Sequence, residues 1–167
     1  MKTLLILRHA KSSWKNADLS DHDRPLYKRG KVDAPRMGRL LCDEGLLPDI
    51  VLCSTAKRAR KTVEKLTESS GYSGPCELDR SLYGATPTQY LQVLVRCDDE
   101  YQRAMLVGHN PGLEELLVRL TGTYERLPTA ALAQIELDVS SWSELEHRPQ
   151  GRVVHVWRPK ELGRSRG

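Results

Sequence analysis

Three short, unbroken apolar segments, at residues 4–7, 50–53 and 104–107, constrain the fold of this chain most strongly. Apolar runs of this length are typical of strands that are buried on both faces of a parallel sheet. Segments with helical periodicity lie between them, and this alternation predicts an α/β domain with a mainly parallel central sheet and helices on both faces. Alternating segments at 131–137 and 152–157 predict two late strands that add an antiparallel edge.

The segments between the strands contain residues that typically begin or end a helix. The first predicted helix stops at Gly45, and Ser54 or Thr55 is expected to cap the second. The segment 10–28 is too polar for core and too long for a simple turn, so we interpret it as a functional loop. We predict helices over 30–44, 56–69, 86–95 and 113–120, and a short strand over 76–79.

Length and charge bound the class of protein. A chain of 167 residues can enclose one core, and we expect a single domain over 1–162 followed by a frayed basic tail over 163–167. The net charge of +4 suits an anionic substrate. Because the basic residues are spread along the chain, nucleic acid is not an expected partner.

No apolar run approaches the roughly 20 residues of a membrane-spanning helix. Arg8 ends the first apolar run too early for a signal peptide, so we expect a cytoplasmic protein without a membrane partner. The cysteines lack paired metal-ligand spacing, and we expect them to be reduced and mostly buried thiols. They are Cys42, Cys53, Cys76 and Cys97.

Chemically able side chains follow each of the three apolar strands. The carboxyl ends of parallel strands meet at one edge of a sheet, where ligands bind. Each group alone has a bland explanation, as a solvated strand end, a helix surface or a turn, but their joint placement favours a phosphate pocket. The spacing leaves open whether Arg58 or Arg60 serves it. The residues are Arg8 and His9, then Ser54, Thr55, Arg58 and Arg60, then Gly108, His109 and Asn110.

Three motifs resemble those of the histidine phosphatase superfamily. Residues 7–12 resemble its Arg-His-Gly/Ala signature, residues 54–62 its Ser-x-x-x-Arg-Ala-x-x-Thr motif, and residues 107–111 its late Gly/Ser-His motif. Segments 21–26 and 28–30 are similar to the compact SixA-type branch, the phosphohistidine phosphatases. The resemblance covers nearly the whole chain in the expected order, and it implies a three-layer phosphoglycerate-mutase-like fold.

The resemblance implies a role for each matching residue. His9 is expected to attack phosphorus and become a transient phosphohistidine. Arg8 and Arg58 are expected to bind the phosphoryl oxygens, and His109 to donate to the same oxygens and stabilise the transition state. By its place in the motif, Arg58 matches the family arginine, whereas Arg60 falls on a variable position.

Two further residues are candidates for substrate binding. Asn110 follows His109 in its motif, and Arg24 either binds substrate or pairs with a nearby aspartate. No metal or cofactor is expected, because cationic side chains can stabilise the transferred phosphoryl group. A neutral His9 must expose one ring nitrogen, and we expect the other to bond a backbone carbonyl in the loop that follows it.

The proton donor is where the sequence departs from the family pattern. Many members carry a carboxylic acid after the second strand–helix unit, but Gly84 stands beside Tyr83 where a glutamate is expected. Solvated strand-end carboxylates are the simpler explanation of the acidic residues nearby. The possible substitutes are Glu77 and Asp79 on the predicted short strand, and Asp18, Asp21 and Asp23 in the first long loop.

A missing acid favours a phosphoramidate substrate, because an alkoxide leaving group needs protonation far more than an imidazole does. The sequence therefore predicts a phosphohistidine phosphatase. The chain has no room for a large cap, so an open pocket would admit a phosphorylated protein side chain or a small phosphorylated substrate. The alternatives are a promiscuous phosphomonoesterase and a non-catalytic phosphate-binding module, against which the intact His9 argues.

Overall fold

The computed structural model describes residues 1–146 and 148–162, so the predicted tail over 163–167 lies outside the described residues. The strands are β1 (Lys2–Arg8), β2 (Ile50–Ser54), β3 (Cys76–Asp79), β4 (Arg103–Gly108), β5 (Leu132–Leu137) and β6 (Gly151–Trp157). The helices are α1 (Lys28–Asp43), α2 (Lys57–Ser70), α3 (Pro87–Leu94), α4 (Gly112–Thr121) and α5 (Pro159–Leu162). Short 3₁₀ turns lie at Asp21–Asp23, Arg80–Leu82 and Trp142–Glu144.

All six strands form one sheet in the spatial order β3-β2-β4-β1-β5-β6. The four strands from β3 to β1 are parallel to one another. Strand β5 runs antiparallel to β1, and β6 runs antiparallel to β5. The predicted fold, a mainly parallel sheet with an antiparallel edge, is therefore confirmed. The expectation of mostly buried cysteines is wrong, because only Cys53 on the central strand β2 is buried, whereas Cys76 lies on the exposed edge strand β3 and Cys42 is exposed near the end of α1.

The central strands are apolar without interruption because both of their faces are covered. In β1, Leu4 and Ile6 belong to a core that includes residues of α3 and α4. Leu5 and Leu7 point to the other face, into a core that includes residues of α1 and α2. Successive side chains of a strand alternate between faces, so each core receives every second residue.

The start of α2 differs from the prediction that Ser54 or Thr55 caps it. The N-cap residue is Ala56, which offers no side-chain hydrogen bond. The physical reason is that β2 continues through Ser54, which pairs with Asp79 of β3, so the backbone turns into the helix only afterwards. The predicted stop of α1 at Gly45 is confirmed, since this residue has φ of 67° directly after the C-cap.

The polar segment after β1 is anchored to the domain at several points. Ser12 and Leu26 form an isolated antiparallel bridge that closes the loop on itself. The Tyr27 N–H donates to the Lys11 carbonyl at 2.8 Å. A Cβ at Gly30 would overlap that same carbonyl oxygen, so the glycine lets α1 pack directly against the loop. These contacts hold the loop in place beside the end of β1.

Candidate active site

The ends of β2, β4 and β1 are neighbours in the sheet, which brings the three predicted groups of polar residues together. The His9 N–H donates to the Gly108 carbonyl at 3.1 Å, and the rings of His9 and His109 lie with their centroids 5.0 Å apart. The side chain of Arg58, in the first turn of α2, reaches His9, with 3.4 Å between its Nε and Nε2 of the imidazole. His9, Arg58 and His109 are each only 6–7% exposed.

His9 is held in one orientation by its own backbone neighbour. Its Nδ1 lies 2.8 Å from the Ala10 carbonyl oxygen, which confirms the expected partner. A carbonyl oxygen can only accept, so Nδ1 carries the proton and Nε2 keeps its lone pair. That lone pair accepts a long hydrogen bond from the Nε of Arg58, at 3.4 Å. The ring therefore presents the nitrogen that a nucleophile needs to the cationic side of the pocket.

Both histidines are neutral at neutral pH. Burial lowers the pKa of His9 from 6.5 to about 3, although its bond to Ala10 acts in the opposite direction. Burial likewise lowers the pKa of His109 to about 4, with the Arg58 charge as the next cause. Desolvation disfavours the charged imidazolium, so an unprotonated His9 is available well below physiological pH.

These depressed pKa values predict that acid destabilises the fold. Between pH 6.5 and 4 the unfolded chain binds protons at His9 and His109 that the folded chain does not, so stability falls as the pH falls. Each histidine contributes roughly 1.4 kcal/mol per pH unit. We expect the free energy of unfolding, measured with urea, to drop by about 2 kcal/mol from pH 6 to pH 5.

Two variants isolate the contribution of His9 from that of other titrating groups. His9→Gln should show about half of the wild-type decrease between pH 6 and pH 5, because one of the two coupled protonations is removed. His155→Gln, at an exposed position on β6, should keep the full decrease. An unchanged decrease in His9→Gln would contradict a neutral, buried His9.

Asp21 fixes the guanidinium of Arg58, a contact that the sequence did not predict. Arg58 donates from Nη1 to the Asp21 backbone carbonyl at 2.6 Å and from Nη2 to its carboxylate at 3.0 Å. The same carboxylate accepts from the Tyr83 hydroxyl at 2.5 Å and from Arg24 Nη1 at 3.0 Å. The Tyr83 bond, followed by those of Arg24 and Arg58, holds the pKa of Asp21 well below its usual range. Asp21 therefore stays ionised and is a poor proton donor.

Arg24 pairs with the nearby aspartate, the second of the two roles considered for it. Besides the bond to Asp21, its Nη2 donates to the Ser12 hydroxyl at 2.5 Å and its Nε to the Ser13 carbonyl at 3.1 Å. The indole of Trp14 covers the guanidinium, with 3.1 Å between Cζ and the ring centroid. Arg24 is thus a buried residue that stabilises the loop, and its guanidinium donates to protein acceptors.

Arg8 and Asn110 converge on the carbonyl of Leu127. Arg8 donates to it from Nη1 at 3.1 Å, and Asn110 from Nδ2 at 2.9 Å. Asn110 also donates to Glu114 at 3.0 Å, so its amide organises the loop. Arg8 differs, because its Nε is buried with no partner among the described residues, and burial lowers its pKa. Arg8 therefore keeps one donor without a protein partner among the described residues, whereas the amide nitrogen of Asn110 is occupied.

Three of the five carboxylates considered as proton donors, Glu77, Asp79 and Asp23, make other contacts. Glu77 lies on the exposed edge strand β3, and its charge acts on Tyr101, which precedes β4 at the opposite end of the sheet. Asp79 accepts from the N–H and hydroxyl of Ser81. Asp23 accepts from the Ser20 hydroxyl. None of the three contacts His9 or Arg58 among the interactions of the described residues.

Two buried hydroxyl groups support the catalytic histidine candidates and were not identified as site residues from the sequence. The Thr62 hydroxyl accepts from the Ala10 N–H at 2.9 Å and donates to the Arg58 carbonyl at 2.7 Å. The Tyr90 hydroxyl accepts from the His109 N–H at 3.1 Å. Thr62 is the last residue of the second motif, so the motif did contain a signal for it. Tyr90 lies on α3, where the sequence pattern predicts only a core residue.

Taken together, the pocket offers two neutral imidazoles and two guanidinium groups at the carboxyl edge of the sheet. Such a set can bind a dianionic phosphoryl group and stabilise the charge that develops during its transfer. Across residues 1–146 and 148–162, no group of three or more His, Cys, Asp or Glu side chains could hold a metal ion. No helix in the same part of the chain is long and apolar enough to cross a membrane.

Comparisons with known proteins agree with this geometry. Residues 4–83 match the family model of the histidine phosphatase superfamily (branch 1). An uncharacterised protein of Mycobacterium tuberculosis is 33% identical over 151 residues, covering 84% of this chain and 92% of that protein. A chloroplastic, uncharacterised protein of Arabidopsis thaliana is 32% identical over 152 residues, covering 86% of this chain and 70% of that protein.

Solved structures share the fold over nearly the full chain. A protein of Agrobacterium tumefaciens assigned as the phosphohistidine phosphatase SixA has a TM-score of 0.82 at 27% identity, covering 95% of this chain and 98% of that one. The tungstate complex of the protein histidine phosphatase SixA gives a TM-score of 0.82 at 22% identity, covering 96% and 99%.

Proposed function

This chain belongs to the histidine phosphatase superfamily, in its SixA-type branch, and is a phosphatase; on that premise we propose that it hydrolyses protein-bound phosphohistidine. In this proposal His9 is the nucleophile. Arg8 and Arg58 bind the phosphoryl oxygens, and His109 donates to them. The observation that carries the choice of substrate is that the Asp21 carboxylate accepts hydrogen bonds from Arg58, Arg24 and Tyr83, which favour its charged form.

Two phosphoryl transfers make up the proposed reaction. In the first, Nε2 of His9 bonds to phosphorus while the bond between phosphorus and the substrate nitrogen breaks. The departing imidazole keeps that electron pair and leaves neutral, because its other ring nitrogen already carries a proton. In the second, a water oxygen bonds to phosphorus, its proton passes to solvent, and the electron pair of the N–P bond returns to His9.

The leaving group distinguishes this substrate from a phosphate ester. An alkoxide needs a proton as the P–O bond breaks, and a positioned acid supplies about 10²–10⁴-fold of the rate in such reactions. Asp21 is poorly suited to that task, since Tyr83, Arg24 and Arg58 all favour its charged form. A neutral imidazole needs no such donor, so the site suits a phosphoramidate better than an alkyl phosphate.

The rim of the pocket supports a protein as the carrier of the phosphoryl group. The indole of Trp14 packs on the guanidinium of Arg24, which in turn bonds Asp21, and this indole is 72% exposed. Tyr27 is 38% exposed on the same loop, with Lys15 Nζ 5.7 Å from its ring centroid. Aromatic residues are enriched at protein–protein interfaces, so these exposed rings support a protein as the carrier.

A matched pair of peptides tests the proposed leaving group. We expect kcat/KM for a phosphohistidine peptide to exceed that for the same peptide with phosphoserine by about 10²–10⁴-fold, the contribution of the missing acid. Release of inorganic phosphate measures both rates. Among aryl phosphates, kcat/KM should fall steeply as the pKa of the leaving phenol rises.

The variant Asp21→Asn serves as the control for hidden acid catalysis. Because Asp21 holds Arg58, its replacement should slow the phosphohistidine peptide and an aryl phosphate by similar factors. A selective loss on esters would identify Asp21 as an acid after all. Equal kcat/KM values for the phosphoserine and phosphohistidine peptides would instead favour a general phosphomonoesterase.

A further inference from the structure

Ser54 stands at the end of β2 with its side chain fully buried. Its hydroxyl oxygen has two neighbours. The Ala56 N–H donates to it at 3.2 Å, and Nε2 of His109 lies 2.7 Å away. The hydroxyl therefore joins the backbone at the start of α2 to the second histidine of the pocket.

The proton of the Ser54 hydroxyl has one available acceptor. The Ala56 N–H already uses a lone pair of the oxygen, and among the described residues the hydroxyl contacts no acceptor other than Nε2. If Nε2 carried a proton, the hydroxyl hydrogen and the Nδ1 lone pair would both be buried without a partner, whereas with the hydroxyl as donor only Nδ1–H is unpaired, which is the less costly arrangement. The hydroxyl must therefore donate to Nε2 of His109.

The other ring nitrogen of His109 then has a defined state. A neutral imidazole has one proton, and with Nε2 accepting, that proton is on Nδ1. Nδ1 is buried and has no hydrogen-bond partner among the described residues. The site thus holds an unpaired N–H donor on a ring whose centroid is 5.0 Å from that of His9.

We propose that Ser54 is a positioning residue that sets the tautomer of His109, so that Nδ1–H is offered to the phosphoryl group at His9. The proposal rests on the proposed function for its consequence, since the donor matters only if phosphoryl transfer occurs there. The tautomer itself does not depend on any substrate. Ser54 does not touch the phosphoryl group and acts through His109 alone.

The direct test is the ¹⁵N spectrum of the histidine rings in the free protein. The ¹⁵N shifts and ring couplings of His109 should show the proton on Nδ1 in the wild type. In Ser54→Ala, Nε2 loses its donor, so we expect the proton to move to Nε2 in a large fraction of molecules. Ser54→Thr keeps the hydroxyl and should retain the wild-type pattern. A wild-type proton on Nε2 overturns the proposal, whether or not the variants fold.

Kinetics provide the second readout. We expect Ser54→Ala to lower kcat by at least about tenfold with little change in KM, since a misplaced ring proton removes a transition-state donor. Ser54→Thr should recover most of this loss. Ser70→Ala, which removes a buried hydroxyl of α2 far from both histidines in sequence, should leave kcat unchanged.

The outcomes separate this proposal from the proposed function. A tenfold loss in Ser54→Ala with the His109 proton still on Nδ1 would show that Ser54 acts only through packing, and the proposal would be wrong. A tautomer that moves as expected, in a protein that does not hydrolyse phosphohistidine, would support the role of Ser54 and reject the substrate instead.

Discussion

Replacement of His9 by alanine is expected to lower turnover by at least about 10⁴-fold while the protein stays folded, because it removes the atom that bonds to phosphorus. The residual rate would come from direct attack by water in a pocket that still binds the phosphoryl group. Phosphate release under single-turnover and steady-state conditions measures the loss. The unfolding transition in urea shows whether the fold is retained.

Labelling with a radioactive substrate provides a second test, because a phosphoryl group bound to His9 can be detected directly. Wild-type protein mixed with labelled substrate and quenched should carry a phosphoryl group that is stable to base and labile to acid, as expected of phosphohistidine. The label should be absent in His9→Ala and present in His155→Ala, which alters an exposed histidine of β6. Equal rates for His9→Ala and wild type would end the claim that His9 is the nucleophile.

Replacement of Arg58 by alanine is expected to lower kcat by roughly 10³-fold, the scale on which a positioned cation stabilises the charge of a transferring phosphoryl group. Arg58 is 7% exposed and faces Nε2 of His9 at 3.4 Å, so its charge acts in a poorly solvated site. Arg58→Lys keeps the charge but loses the planar fork of donors, and we expect it to recover only part of the rate.

Arg60 supplies the matched control for Arg58. It lies two residues further along α2, and its Nε donates to the Thr55 carbonyl at 2.9 Å. Arg60→Ala removes the same charge from the same helix, so we expect kcat to stay within about threefold of wild type. A loss of only twofold in Arg58→Ala, or a comparable loss in both variants, would contradict a specific role of Arg58.

The ion pair between Arg58 and Asp21 orients the guanidinium of Arg58. An arginine with free torsions could present its donors in many directions, but Asp21 takes both Nη atoms of Arg58 and leaves Nε towards His9. Tyr83 and Arg24 hold Asp21 in turn. The Asp21 carboxylate thereby orients Arg58. Because its hydrogen-bond donors favour its charged form, it is unsuited to donate a proton.

Much of this site could be predicted from the sequence, because apolar runs fix buried strands and parallel strands place their carboxyl ends at one edge. Arg8, His9, Arg58 and His109 were found in this way and by their motifs. The tautomer of His9 was also predictable, since its partner is the carbonyl of the next residue, and contacts between neighbours depend little on the rest of the fold.

Only the tertiary structure decided which side chains support that set. Asp21 meets Arg58 across 37 residues and Tyr83 across 62, and Ser54 meets His109 across 55. No periodicity relates such residues, because these contacts depend on strand order and on the path of the loops. The sequence by itself thus predicted the strands and the four candidate residues that follow them, whereas the packing of loops against helices decided which side chains orient these residues.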